Sequence, residues 1–209
     1  SKKVDKHGYK KILIIKSGLE YKFDDISVFD EKYDNKRYVV FNNDREKTNI
    51  LMHLFNGEFS LLNEDLYNSL PKKIKDNSDI QLYGELVKIM MITQSGAEGI
   101  SLKNVRSVLI MEYFWNSVRI NQVIGRAVRT CSHELLPKDE RNVQVFCYIM
   151  TLKKEQLKKN FTIKNLDNGI TTDEHILQIA KSKENLINQF LNLLKSFSFD
   201  CIINSKKNK

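Results

Sequence analysis

The chain has 209 residues, which is enough for one ordinary domain or for one domain with an appendage. Hydrophobic residues make up 41% of it and charged residues 29%, a globular composition that excludes a disordered chain. No apolar run reaches the roughly 18 residues of a membrane span and no signal-peptide pattern opens the chain, so we expect no membrane partner.

The charge balance favours an anionic partner, since 34 Lys and Arg face 26 Asp and Glu for a net charge of +8. Lysine-rich chains are common, so the charge alone does not decide between partners. The three cysteines, Cys131, Cys147 and Cys201, lie far apart, which predicts free thiols in a reducing compartment. Cys131 with His133 is one close pair and not a zinc site.

Short apolar runs alternate with helical stretches along the first 150 residues, as in an α/β fold with a parallel sheet. We predict strands at residues 10–15, 37–41, 87–93, 107–113 and 143–150. Several of these runs are apolar throughout, as expected of strands covered on both faces. Residues 45–55 place apolar side chains at helical spacing, and Asp44 is the expected N-cap of that helix.

The tail, residues 171–197, predicts a long amphipathic helix. Thr171 and Glu174 have the spacing of a capping box at its start. Its apolar face comprises Ile176, Ile179, Ala180, Ile187, Phe190, Leu191, Leu194 and Phe197. This face packs either on the domain's own sheet or on a neighbouring domain or partner. The lysine-rich segment 152–160 before it is either a solvated loop or a nucleic-acid contact.

The string QVIGRAVR, residues 122–129, combines arginines and a glycine within a helical pattern. At about 100° per residue, one polar stripe holds Arg119, Gln122, Arg126 and Arg129. The opposite side, which can face the sheet, holds Ile120, Val123, Ile124 and Ala127. Gly125 lies beside the polar stripe, where glycine costs ~1 kcal/mol relative to alanine and indicates a close approach of ligand or backbone.

Fixed guanidinium groups on a helix match phosphate oxygens in bidentate geometry, although surface arginines also pair with carboxylates. The upstream string SGAEGISL, residues 95–102, favours the phosphate interpretation. It follows a predicted strand that ends at Thr93, and the carboxyl end of a parallel strand is where open sheets bind ligands. Gly96 and Gly99 would let backbone N–H groups approach a phosphate or ribose.

The ordered combination of SGAEGISL, a strand, Trp115-Asn116 and QVIGRAVR resembles motifs V and VI of superfamily 2 helicases and translocases. It is similar to the branch that contains the Swi2/Snf2 translocases. The longer string through CSH, residues 131–133, more closely resembles the helicases of large nucleocytoplasmic DNA viruses. These are the poxvirus-type early transcription factor small subunit, nucleoside triphosphatase I, and their relatives in African swine fever virus and giant viruses. The tail is similar to the C-terminal ends of the same proteins.

The resemblance implies a second RecA-like domain and assigns roles by position. Arg129 would be the arginine finger, with Arg126 beside it on the γ-phosphate and Gln122 in the same ATP cleft. The resemblance assigns Gly99, Glu98 and Gly125 to the nucleotide. It assigns Ser95, Gly96, Trp115 and Asn116 to the nucleic-acid strand.

The resemblance also implies ATP and Mg²⁺, held mainly by an N-terminal RecA-like domain that these residues do not include. ATP hydrolysis needs a P-loop, and no GxxxxGK[ST] string occurs here, so we expect the isolated chain to be inactive. The expected partners are DNA or RNA, that N-terminal domain, and viral RNA polymerase or transcription factor subunits. A viral protein would act in the virion and the host cytoplasm, and a cellular one in a reducing intracellular compartment.

We therefore expect a second RecA-like domain over residues 1–150, a basic connecting segment over 151–170 and a helical extension over 171–203. No strand of motif IV precedes residue 10, so we expect the sequence to start inside the domain. Asn42-Asn43 also stands where relatives carry a glycine-containing turn. Two alternatives stay open: a non-catalytic DNA- and polymerase-binding module of a viral transcription complex, and a cellular Swi2/Snf2-type DNA translocase.

Overall fold

The structure is a computed structural model that describes residues 2–18, 20–34, 36–41, 44–77, 80–93, 99–153, 155 and 170–198. The chain divides into two compact units: unit 1 holds residues 1–106 and 126–143, and unit 2 holds residues 107–125 and 144–209. The predicted domain boundaries stay a prediction, because most of residues 151–170 lie outside the described ranges. Within those ranges, no helix is both long enough and apolar enough to cross a bilayer.

Unit 1 is built on a small parallel sheet with helices around it. Its elements are α1 (Lys2–Lys6), β1 (Lys10–Lys11), β2 (Ile14–Ser17), β3 (Glu20–Phe23), β4 (Arg37–Phe41), α2 (Arg45–Asn56), α3 (Glu64–Ser69), α4 (Lys72–Lys75) and β5 (Ile89–Ile92). Strand β4 lies in the middle of the order β1-β4-β5, parallel to both neighbours, with Tyr38 opposite Ile89. The sheet and its helices confirm the predicted parallel α/β class.

The prediction of one strand over residues 10–15 was wrong. Strand β1 ends at Lys11, and residues 14–17 instead pair antiparallel with β3. Gly18 takes a left-handed conformation (φ 68°) between the paired residues Ser17 and Glu20. This glycine permits a tight turn there, so the chain folds back on itself as a hairpin.

Helix α2 confirms the predicted helix and its cap. The Asp44 carboxylate accepts a hydrogen bond from the Lys47 N–H at 3.2 Å, which satisfies one free donor of the first turn. Leu51 and Leu54 are buried, as the spacing predicts. The helix stops at Gly57, whose left-handed φ of 73° allows its N–H to bond carbonyls of the last turn.

A buried arginine joins three segments of unit 1. Arg37, at the start of β4, is 1% exposed. Its Nε donates to the Val28 carbonyl at 2.7 Å and its Nη1 to the Glu85 carbonyl at 3.3 Å. Its Nη2 donates to the Asp30 carbonyl and to the Asp34 carboxylate, at 3.1 and 2.8 Å. All these donors are satisfied, which is the condition for burying a charge.

Unit 2 holds the remaining strands and the long helix. Its elements are β6 (Ser107–Ile110), most of α5 (Ser117–Ala127), β7 (Gln144–Cys147) and α6 (Thr172–Ser196). Strands β6 and β7 pair in parallel, with Ile110 opposite Cys147. The expectation of strands covered on both faces holds for β4 but is wrong for β7, whose residues are all exposed. An apolar strand sequence indicates that the faces of the strand favour burial, but it does not show which elements cover those faces.

Helix α6 confirms the predicted amphipathic helix and its capping box. The Thr171 Oγ1 accepts from the Glu174 N–H at 3.2 Å, and the Glu174 carboxylate accepts from the Thr171 N–H at 2.8 Å. Ala180 is fully buried, whereas every residue from 181 to 197 is exposed. The stripe is therefore exposed beyond residue 180, where Phe190 and Phe197 are 60% and 82% exposed.

We predict that Arg37→Met lowers the free energy of unfolding by about 3 kcal/mol, because three carbonyls lose their donor at about 1–3 kcal/mol each. Arg37→Lys should also be destabilising, since one ammonium cannot reproduce the fork of bonds. Urea unfolding followed by circular dichroism measures both. Lys36→Met is the matched control, because the neighbouring Lys36 is exposed and should change stability by less than about 0.5 kcal/mol. Equal midpoints for the Arg37 and Lys36 variants would contradict the role of Arg37.

Candidate functional site

Helix α5 carries the predicted polar and apolar sides. Gln122 and Gly125 are exposed, whereas Ile120 and Ala127 are buried at 7% and 2% exposure. Arg126 is half-buried. Ile120 and Ala127 are therefore buried, as the spacing predicts, while Val123 and Ile124 are half-buried.

Arg129 does not continue the helical stripe, so that part of the prediction was wrong. Helix α5 ends at Ala127, two residues earlier. Ser132 forms two hydrogen bonds with the backbone of Arg129. The Ser132 Oγ accepts from the Arg129 N–H at 3.2 Å, and the Ser132 N–H donates to the Arg129 carbonyl at 3.1 Å. Cys131 takes a left-handed φ of 62°, which turns the chain at this point. Arg129 thus projects from a turn and not from the helix.

His133 supports the same turn. Its Nε2 lies 2.7 Å from the Val105 carbonyl, and its Nδ1 lies 2.8 Å from the Ser132 Oγ. Because a carbonyl only accepts, Nε2 carries a proton in this arrangement. His133 therefore has a structural role that sequence reasoning did not supply. The CSH string holds a signal for Ser132 only, since Ser near a helix end often bonds neighbouring backbone groups.

Two further backbone bonds join the loop after Gly99 to the end of α5. The Leu102 N–H donates to the Arg126 carbonyl at 3.3 Å, and the Asn104 N–H donates to the Ser132 carbonyl at 2.9 Å. Asn104 is left-handed (φ 56°), a conformation that Asn tolerates better than most residues. Together with the bond from His133 to Val105, these contacts fix the loop against the segment that carries both arginines.

The other side of this loop is held by the end of α2. The Asn56 side chain donates to the Ser101 carbonyl and accepts from the Lys103 N–H, both at 3.0 Å. The Lys103 ammonium lies 2.7 Å from the Glu58 carboxylate, which also pairs with His53 at 2.8 Å. Sequence reasoning missed Asn56, because a single Asn at a helix end is common and its partners lie more than 40 residues away.

The loop and the turn line an open groove of about 540 Å³. Arg129 and Lys103 supply its cations and Glu134 its carboxylate, and Arg129 is exposed. The groove is therefore suited to an anion with several oxygens. Among the described residues, no three His, Cys, Asp or Glu side chains come together as a set of metal ligands.

Gly99 and Gly125, the two described glycines of the site, differ in why a glycine stands there. Gly99 is left-handed (φ 76°), so its backbone conformation explains the glycine. At Gly125, an added Cβ would meet no described atom within 4 Å, so the space beside α5 is open. The predicted site residues Ser95, Gly96 and Glu98 lie outside the described residues.

In unit 2, Trp115 and Asn116 precede α5. The Asn116 Oδ1 accepts from the Val118 N–H at 3.0 Å, so Asn116 acts as the N-cap of α5. This bond fixes the Asn116 side chain at the start of α5. Trp115 is 54% exposed, which leaves much of its ring open to solvent.

We predict that Glu58 makes stability depend on pH. Burial works to raise its pKa, but the hydrogen bonds and charges of Lys103 and His53 outweigh burial and hold the pKa below its ordinary value. The folded pKa is thus lower than the unfolded one, so the stabilisation is present above about pH 4.3 and is lost as pH falls through the folded pKa. Urea unfolding across this range should show a shallower loss for Glu58→Gln than for the control Glu134→Gln. Parallel pH curves for the two variants would refute the assignment.

Comparison with known proteins finds similar proteins in several viruses. A protein of Acanthamoeba polyphaga mimivirus, named as a candidate ATP-dependent RNA helicase, is 42% identical over 125 residues, covering 60% of this chain and 15% of that protein. A termination factor NPH-I homologue of African swine fever virus is 34% identical over 131 residues, covering 62% and 18%. Nucleoside triphosphatase I of Choristoneura biennis entomopoxvirus is 32% identical over 148 residues, covering 68% and 20%.

The chain thus spans about a fifth or less of the length of these relatives. The model of the helicase conserved C-terminal domain matches residues 21–131, which is more than half of the chain and includes the loop after Gly99, α5 and Arg129. The parallel sheet flanked by helices agrees with the RecA-like fold expected of such a domain. The chain belongs to the helicase conserved C-terminal domain family.

Proposed function

We propose that the chain supplies the C-terminal half of the two-domain motor of an ATP-dependent superfamily 2 helicase or translocase of a large DNA virus, acting in early transcription. The proposal rests on one observation: hydrogen bonds fix the backbone of Arg126 and Arg129. Hydrogen bonds to Leu102 and Ser132 hold both residues, while the Arg129 side chain remains exposed at an open groove. A charged side chain on a fixed backbone is the arrangement that transition-state stabilisation needs.

In this proposal ATP binds mainly to an N-terminal RecA-like domain, and closure of the two domains brings Arg129 against the γ-phosphate. Arg129 acts as the arginine finger, and Arg126 donates to the same phosphate. The residues present fit this role, because Arg129 and Lys103 line a groove suited to an anion. Gln122 and Gly125 contact the nucleotide from exposed positions on α5. The other domain would hold Mg²⁺, which would neutralise charge on the phosphates.

The loop from Gly99 to Val105 would transmit nucleotide state to the nucleic-acid track. It is bonded to the arginine segment on one side and to Asn56 on the other. A shift of Arg126 and Arg129 on closure would therefore move the loop. Ser95, Gly96 and Glu98, immediately before it, are proposed to contact the strand and the nucleotide as the family resemblance implies.

The track is proposed to be DNA or RNA, held through phosphates and through Trp115 and Asn116. The net charge of +8 supports affinity that weakens steeply with salt. The named roles of the relatives, an RNA helicase, a termination factor and a nucleoside triphosphatase, support action in viral transcription. Viral RNA polymerase or transcription factor subunits would then be partners, and the virion and host cytoplasm the site of action.

A second candidate is a non-catalytic module that binds DNA and polymerase. The exposed apolar side chains of α6 from residue 186 to 197 favour a protein partner, since large apolar patches mark interaction sites. The two candidates differ in what the arginines do. A module would need neither Arg126 nor Arg129 for its function.

We predict that Arg129→Ala in the full-length protein lowers nucleic-acid-stimulated ATPase activity at least about a hundredfold while ATP binding is retained. Arg126→Ala should show a loss of the same kind. Arg45→Ala on α2 is the matched control, since it removes an exposed arginine remote in sequence from the groove. Steady-state ATPase assays with double-stranded DNA, single-stranded DNA and RNA would also identify the track. Unchanged ATPase activity in Arg129→Ala would contradict the motor and would favour the non-catalytic module.

We predict that Ser132→Ala lowers kcat about tenfold or more with little change in ATP affinity, because the Arg129 backbone loses its side-chain bonds and the guanidinium is misplaced. Ser132→Thr keeps the hydroxyl and should restore most of the activity. Single-turnover ATPase and equilibrium ATP binding separate the two effects. Loss of ATP affinity and kcat together in both variants would indicate general damage and not positioning.

A further inference from the structure

A lysine of the C-terminal helix lies on the ring of the only tryptophan. The Lys183 Nζ is 3.8 Å from the centroid of the Trp115 ring, closer than any other cation to a ring among the pairs that the structure describes. Such contacts contribute about 0.5–1 kcal/mol at exposed sites. Trp115 nevertheless stays 54% exposed, so Lys183 covers only part of the ring.

The start of α6, the helix that carries Lys183, is anchored by hydrogen bonds to Met150. The Asp173 carboxylate accepts from the Met150 N–H at 2.9 Å, and the Thr171 hydroxyl donates to the Met150 carbonyl. Ala180, one turn before Lys183, is fully buried. Burial also raises the pKa of Tyr113, two residues before Trp115, and the nearby charge of Glu184 on α6 adds to this effect. Helix α6 is therefore packed as far as Ala180, one turn before Lys183.

The same segment carries a second pair of this kind. The Arg119 guanidinium lies 4.2 Å from the centroid of the Phe114 ring. Two adjacent aromatic rings thus each have a cation against them. From residue 181 to 197, α6 has three lysines and one acid, Glu184, so the helix adds positive charge beside the rings.

These groups match the two parts of a nucleotide unit. A tryptophan face stacks an unpaired base at about 1–3 kcal/mol, and the ammonium beside it pairs with a backbone phosphate. A ring with a cation on one face still offers the other face to a base. A duplex offers no unstacked base, so the arrangement favours a single strand.

We propose that Lys183 and Trp115 together form a subsite for one unpaired nucleotide, so that the C-terminal helix is part of the nucleic-acid track. This inference rests on the proposed function and adds a residue of α6 to it. Lys183 binds the phosphate and holds the Trp115 ring for stacking. Helix α6 then links the nucleic-acid strand to the partner that its exposed apolar residues bind.

The experiment uses the 209-residue chain, because Trp115 is its only tryptophan and reports directly on the subsite. Short single-stranded DNA, single-stranded RNA and double-stranded DNA are titrated separately while Trp115 fluorescence is followed. Quenching by a single strand of either chemistry is expected. Binding of a single strand without any change in Trp115 emission, or quenching by the duplex alone, would overturn the subsite.

Variants test the contribution of the lysine through the binding of a labelled single strand. Lys183→Met keeps the aliphatic stem and should weaken binding about fivefold, with the slope of log affinity against log salt reduced by about 1. Lys183→Arg should stay within about twofold of the wild type. Trp115→Leu should lose at least about fivefold through stacking. Lys181→Met, an equal charge change at an exposed position of the same helix, is the matched control.

The outcomes separate this inference from the proposed function. If Lys183→Met and Lys181→Met have the same affinity and salt slope, the subsite is wrong while nucleic-acid binding and the motor stand. If neither the chain nor the full-length protein binds any strand, both proposals fall. Thermal unfolding of each variant shows that a change in binding does not come from loss of fold.

Discussion

The candidate site depends on how the loop after Gly99 is bonded to the segment that follows α5. Three hydrogen bonds join Leu102 to Arg126, Asn104 to Ser132, and Val105 to His133. None of them uses an arginine side chain, so the guanidinium groups remain available for a ligand. Backbone groups buried between segments need partners, and here meeting that need also fixes where the arginines stand. The same hydrogen bonds therefore satisfy the buried backbone and position the backbone of both arginines.

Local sequence patterns predicted the elements of the fold well where one short-range interaction decides them. The caps at Asp44 and Thr171 each depend on a side chain and an N–H three residues later, so spacing alone reveals them. The hairpin of β2 and β3 was missed, since residues 10–15 read as one apolar run and Gly18 alone signals the turn. The exposure of β7 depends on what packs against it, which no local pattern contains.

The candidate site was predictable only in part for the same reason. Residue type and spacing predict phosphate chemistry for Arg126 and Arg129, which stays a prediction, but they do not predict that α5 ends at Ala127. That end depends on Ser132 bonding backwards to Arg129 and on a left-handed Cys131, a non-glycine conformation that sequence rarely signals. Asn56 and His133 act across 28 residues or more, so their roles appear only in three dimensions.

In unit 2 as well, candidate ligand-binding side chains stand next to backbone that is fixed by hydrogen bonds. Asn116 caps α5 through its own side chain, and the ties of Thr171 and Asp173 to Met150 anchor α6. Trp115 immediately precedes the Asn116 cap, Lys183 follows the anchored start of α6, and the Lys183 Nζ lies 3.8 Å from the centroid of the Trp115 ring. A side chain held in this way loses little conformational freedom when a ligand binds, so more of the contact energy appears as affinity. The physical argument that supports the proposed role of Arg129 at a phosphate therefore also supports the proposed subsite of Trp115 and Lys183.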